Sequence, residues 1–173
     1  SQKKIIGTLG RITEAKNFRR LIEAVGFIDP SLLLYIGGNG HLRSELEKLV
    51  DSLNLQTRIT FLGEVTNPGK FYQSLDFYVQ PSLWEGYGLT VVEAQAHGLP
   101  TCLSNIPAFN EFKFQSHQYF DPNCVASIAS TLENMAAKPA LFKLTAEDGK
   151  HFMIQNSINK TAEIYKKIYN EKI

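Results

Sequence analysis

The sequence is poor in the features that announce many kinds of chemistry. Its 173 residues hold two cysteines, Cys102 and Cys124, with no CxxC spacing. That excludes a disulfide framework and a thiolate zinc or redox site, and favours a reducing, cytoplasmic setting. The four histidines, His41, His97, His117 and His151, stand at no metal-ligand spacing, and no Ser-His-Asp or Cys-His nucleophile arrangement is visible. Charge of one sign is also missing: 18 Lys plus Arg against 17 Asp plus Glu leave +1. No global basic field exists to draw nucleic acid, so an anionic ligand has to be held locally. No apolar run approaches the ~20 residues of a membrane span. The start, SQKKIIGTLG, lacks a signal peptide's apolar block and cleavage site; a strand pattern begins almost at once, as in a domain taken from something longer.

What is present is a globular composition, 43% hydrophobic and 20% charged, in a chain long enough for one buried core. Six short apolar runs, at 5–9, 32–36, 59–62, 77–79, 101–103 and 118–120, alternate with helical spacings. The helical positions are Phe18, Leu21, Ile22 and Val25, then Leu42, Leu46, Leu49 and Leu53, then Leu89, Val92 and Ala96. This pattern predicts a doubly wound α/β domain: a mostly parallel, six-stranded Rossmann-like sheet with helices on both faces. Extra C-terminal helices are expected at 125–138, from near Pro139, and over 156–170. In the last, Ile158, Ala162, Tyr165, Ile168 and Tyr169 form an apolar stripe opposite Lys160, Lys166, Lys167 and Lys172, suited to docking on its own domain or to facing a membrane.

In such a sheet ligands bind outside the carboxyl ends of the strands, so the strand-to-helix loops carry the functional reading. Gly10-Arg11-Ile12-Thr13-Glu14-Ala15-Lys16-Asn17 places two cations before a helix. Arg11 can grip a phosphate through two parallel bonds and Lys16 adds a point charge, which suits a diphosphate. The same residues also suit an ordinary surface, with Asn17 capping the helix. Gly37-Gly38-Asn39-Gly40-His41 is rich enough in glycine for a ligand to approach the backbone, or for a tight turn alone. It does not match GxGxxG, since Arg43 falls where the third glycine would stand. Arg58, before the third run, reads as a surface charge.

The stretch PSLWEGYGLTVVEAQAHGLP, 81–100, is the richest. Gly86 and Gly88 allow a tight turn that presents backbone N–H groups at a helix start near Thr90. Glu85 and Glu93 flank it, and carboxylates suit the vicinal hydroxyls of a sugar. Thr90-Val91-Val92-Glu93 is also a capping box, so Glu93 is open between cap and ligand. Glu93→Gln would preserve a box and weaken a grip on hydroxyls. His97, before Gly98, reads as the end of that helix.

Together GRITEAKN, IGGNGHLRSELE, RITFLGEV, the E-x7-E block from Glu85 to Glu93, SNIPAFNE ending at Glu111, and YFDP resemble one family over nearly the whole chain. It is the C-terminal domain of group 1, or family 4, retaining glycosyltransferases of the GT-B fold. The resemblance implies a donor-binding domain over residues 3–173, with the N-terminal acceptor domain of the same polypeptide lying outside this chain. It implies that Arg11 and Lys16 bind the donor diphosphate, while Glu85, the residue given a catalytic part, and the backbone of Gly86, Tyr87, Gly88, Leu89 and Thr90 hold sugar and phosphate. Glu93 would hold the ribose, Gly38 would be among the donor-binding residues and the backbone near Ile59 would contact the base. No metal and no cofactor are implied beyond a UDP- or GDP-linked sugar as donor substrate. The setting would be cytoplasmic, at the inner face of a membrane touched by the other domain.

Two departures stand out. Ser104-Asn105-Ile106-Pro107-Ala108-Phe109 replaces a glycine-rich loop, and Ser116-His117-Gln118 replaces a glycine before the last strand. An epimerase half or a non-catalytic sugar-nucleotide-binding domain would share the nucleotide cleft. Without its other half the chain is expected to bind nucleotide sugar weakly and not to turn it over.

Overall fold

The computed structural model describes residues 3–110 and 117–138, together with Asp148 and Ile154. Strands and helices alternate: β1 Lys4–Leu9, α1 Phe18–Val25, β2 Leu32–Gly37, α2 Arg43–Ser52, β3 Ile59–Gly63, α3 Pro68–Gln73, β4 Phe77–Gln80, α4 Leu89–Ala96, β5 Thr101–Ser104, α5 Pro107–Asn110, β6 His117–Phe120 and α6 Val125–Ala137. The strands form one sheet in the order β3-β2-β1-β4-β5-β6, and every pairing is parallel. Strand order reverses between β1 and β4, which puts the switch point there.

Parallel strands joined by helices have both faces covered. β4 and β5 are accordingly buried at every residue. On one face Ile6, Leu34, Ile36, Val79 and Cys102 meet Leu21, Ile22 and Val25 of α1, Leu46 and Val50 of α2, and Ile128 and Leu132 of α6. On the other Tyr78 and Leu103 meet Phe71 and Tyr72 of α3, Val91 and Ala94 of α4, and Phe109 of α5. Gly7 belongs to this second face, where a Cβ would fall 2.2 Å from a Leu75 methyl.

All six expected strands are present within a residue or so of their predicted ends. Two helical faces differ. In α2 the buried residues are Leu46 and Val50, and Leu53 is exposed because the chain leaves the helix at Ser52 and turns left-handed at Asn54, φ 56°. In α4 the buried residues are Val91, Ala94 and Gln95, whereas Leu89 is 64% exposed. That helix is apolar on nearly every side, so periodicity alone could not choose its face. α3 and α5 are too short for a periodic signal; α3 is instead announced by Asn67, whose Oδ1 accepts from Lys70 N at 3.0 Å, and by Pro68 at the first helical position. The expected helix after Pro139, the stretch 156–170, His151 and Glu111 lie outside the described residues. No helix among the described residues is long and apolar enough to cross a membrane.

Candidate functional site

The loops after β1, β2, β3 and β4 meet at the carboxyl end of the sheet and are tied by backbone bonds. Gly10 N donates to Gly37 O at 3.1 Å, Ile12 N to Asn39 O at 2.9 Å, Gly38 N to Gly63 O at 2.6 Å, and Leu83 N to Ala15 O at 2.9 Å. Gly38 has φ +113°, and a Cβ there would lie 2.0 Å from Gly10 O. Glycine is required at 38 by the approach of the two loops themselves.

Asn17 does not cap α1. It occupies the N-cap position with φ 54° and makes no side-chain capping bond. Its buried Nδ2 donates instead to Pro81 O at 3.0 Å and Pro122 O at 2.8 Å, which ties the β1 loop to the loops after β4 and β6. Lys16, one residue before it, points at the β4 loop. Its Nζ donates to Glu85 Oε1 at 2.6 Å, with side chains 19% and 9% exposed. Ser82 Oγ donates to the same oxygen at 2.7 Å and Gln80 Nε2 lies 3.3 Å away.

Gln80 is fully buried and both ends of its amide are used. Oε1 accepts from Tyr78 OH at 2.6 Å and Thr90 Oγ1 at 3.3 Å, and Nε2 donates to Ser82 Oγ at 2.9 Å. Burial pushes the Tyr78 phenol well above its ordinary pKa, so it stays a donor. Glu85 is therefore aimed by a chain of neutral donors that starts in the sheet, and its charge is met by Lys16. Oε2 has no hydrogen-bond partner among the described residues.

The turn after Glu85 uses its glycines differently. Gly88 is buried with φ +76°, and a Cβ would sit 2.7 Å from the Phe109 ring. Gly86 is exposed, and a Cβ there would meet nothing within 4 Å. Packing thus requires glycine at 88 and not at 86. Exposed Trp84, Tyr87 and Leu89 surround the turn, and the first N–H groups of α4 have no partner within the helix.

The capping box does not form. α4 begins at Leu89 with Gly88 at the N-cap and no side-chain cap, so Thr90 is already inside the helix. Glu93 accepts instead from Tyr72 OH, through Oε2 at 2.8 Å. Arg11 is exposed and makes no hydrogen bond or ion pair among the described residues. Ile59 stands apart from the cluster. It opens β3, 5% exposed, with its N–H on Leu55 O at 3.0 Å, whereas the β3 end facing the other loops is Gly63. Ile59, where the base contact is expected, thus lies at the opposite end of β3 from the loop cluster. Arg58 is structural, donating from Nη2 to Asp29 O and Leu32 O. His97 closes α4, its Nδ1 on Glu93 O at 2.8 Å.

Sequence reasoning missed Gln80, Ser82 and Tyr72. A glutamine ending an otherwise apolar strand was the available sign for Gln80. Tyr72 had none, since it lies in a helix too short to be read. Among the described residues no group of three or more His, Cys, Asp or Glu side chains could hold a metal.

A doubly wound domain with an ion pair at its switch point, a glycine turn and two carboxylates held by hydroxyl donors falls in the class of α/β domains whose ligands sit at the carboxyl ends of the strands. Comparison with known proteins narrows the class. Residues 1–142 match the family model described as Glycosyl transferases group 1, and the chain belongs to that family. It is 34% identical over 117 residues, 63% of this chain and 33% of the relative, to the lipopolysaccharide core biosynthesis mannosyltransferase LpsB of Rhizobium meliloti. It is 28% identical over 166 residues, 96% and 46%, to the O-antigen biosynthesis glycosyltransferase WclY of Escherichia coli. The chain thus spans a third to a half of the length of these relatives. Among solved structures it is similar to the C-terminal domain of a group 1 family glycosyl transferase from Francisella tularensis, with TM-score 0.75, 24% identity, and 90% and 86% of the two chains covered. It is also similar to Anabaena HepE in complex with UDP and glucose, with TM-score 0.86, 16% identity, and 98% and 49% covered. At these identities the structural likenesses establish the fold.

Proposed function

We propose that this chain is the donor-binding half of a two-domain, retaining glycosyltransferase that moves a sugar from a nucleotide diphosphate to an acceptor hydroxyl. The observation that carries the reading is the Lys16–Glu85 pair at the switch point, 2.6 Å apart, because it joins a phosphate-binding cation to a hydroxyl-binding carboxylate. Lys16 has three donors and can hold Glu85 and a phosphate oxygen together. Arg11 and the N–H groups of Gly86 to Leu89 add to the positive end of α4. Donors fixed in advance around the leaving diphosphate stabilise the charge that develops as the sugar departs. Glu85 keeps Oε2 for the sugar, Glu93 holds the ribose, and the base lies over the carboxyl end of β3, at 63–65 rather than at Ile59.

The acceptor site belongs to a second domain that closes over this one. The relatives' names, in lipopolysaccharide core and O-antigen assembly, point to a cell-surface glycan as acceptor and to work at the cytoplasmic side of a membrane. Thermal unfolding against a panel of UDP- and GDP-sugars tests the donor reading, since a ligand of the folded state alone raises the midpoint. A shift with one nucleotide class is the expected result. Anomeric analysis of product made by the full-length protein then tests retention.

A further inference from the structure

We infer that Tyr72 is the positioning residue that aims Glu93 at the ribose, so that the pair sets a preference for ribonucleotides over 2′-deoxyribonucleotides. The inference rests on the proposed function, which takes Glu93 to hold the ribose.

The Tyr72 ring is fully buried and held from several sides. Phe71 lies edge-on at 5.5 Å between centroids, Tyr78 at 5.8 Å, and the His97 ring at 5.0 Å. A ring so packed has one rotamer, and its hydroxyl is delivered to one place. There it faces two acceptors, Glu93 Oε2 at 2.8 Å and Thr90 O at 3.2 Å. A phenol has a single proton to donate, and the shorter, charge-assisted bond to the carboxylate takes it. Burial first, then the neighbouring Tyr78 and Glu93, push the Tyr72 phenol far above its ordinary pKa. It therefore keeps its proton and remains a donor.

Glu93 is on the exposed side of α4, where a glutamate ordinarily samples many rotamers. Tyr72 removes that freedom before a ligand arrives. Oε1 has no partner among the described residues, and Oε2 keeps a second lone pair. The carboxylate can therefore accept from two adjacent hydroxyls, as the 2′ and 3′ positions of ribose supply and 2′-deoxyribose does not. A hydroxyl present only to satisfy itself would have served equally by bonding Thr90 O alone.

The test is a nuclear magnetic resonance titration of the 173-residue chain with UDP, GDP, dUDP and dGDP, on wild type, Tyr72→Phe, Glu93→Gln and the double variant. Wild type is expected to prefer the ribose form of its nucleotide by about tenfold. Tyr72→Phe keeps the ring and should lower ribonucleotide affinity several-fold, leave the deoxy form unchanged, and add nothing in the Glu93→Gln background. Glu93→Asp, too short to reach the phenol, should behave like Tyr72→Phe and keeps the test open if that variant unfolds. Equal losses for ribose and deoxyribose forms would make Tyr72 merely structural and overturn the inference. Binding without ribose preference would overturn it while leaving the donor-binding reading intact. No binding of any of the four to wild type would remove both.

Discussion

Glu85 and Glu93 flank one turn, yet the molecule holds them in opposite ways. Glu85, with its side chain 9% exposed, meets Lys16, Ser82 and Gln80 on one oxygen, so the loop after β1 and the end of β4 with its own loop share in placing it. Glu93 stands on the rim of α4 and meets one phenol. The difference teaches where stability and ligand binding are coupled. Around Glu85 the proposed binding group is part of the fold, and changing it should disturb both. Around Glu93 the proposed binding group is nearly separate from the fold, and changing it should disturb binding alone.

Four substitutions break or sharpen this contrast, in falling order of expected effect on stability. Gly88→Ala should cost about 2–4 kcal/mol, since it combines left-handed strain with a collision against Phe109; for a chain of this size urea unfolding and a midpoint lowered by about 2–4 °C per kcal/mol would register it. Glu85→Ala leaves the Lys16 ammonium and the Ser82 hydroxyl without their acceptor and should cost about 2 kcal/mol, read in the same denaturation. Gly86→Ala should change stability by less than about 1 kcal/mol, because a methyl there meets nothing. Its effect should fall on nucleotide-sugar affinity, measured by calorimetry. Glu93→Gln should stay within about 0.5 kcal/mol of wild type in stability; equal loss of stability in Glu93→Gln and Glu85→Ala would erase the distinction.

Much of this architecture was legible in the sequence, for reasons that can be named. The strands were visible because parallel strands are apolar on both faces, as in FYVQ and TCLS. α1 was visible because Phe18, Leu21, Ile22 and Val25 are all buried at helical spacing. The buried face of α4 was not, because that helix is apolar almost all round. At the site, the glycine loops and both glutamates were marked by composition. The partners of those glutamates were not, since Lys16 to Glu85 and Tyr72 to Glu93 are contacts between segments far apart in the chain. The capping role for Glu93 turned on one residue of helix register: with the helix starting at Leu89, Thr90 cannot be its cap. A strand motif likewise does not say which of its ends meets the neighbouring loops: Gly63, not Ile59, is the end of β3 bonded to the loop after β2.

The most direct test of the account is to map backbone amide shifts of the chain as UDP or GDP is added, for wild type and Lys16→Ala. The account predicts that the shifts concentrate at Arg11 to Lys16, Gly86 to Leu89 and Glu93, and that Lys16→Ala weakens binding at least tenfold, roughly the worth of one charge-assisted phosphate contact. Shifts centred elsewhere, or an affinity indifferent to Lys16, would contradict it.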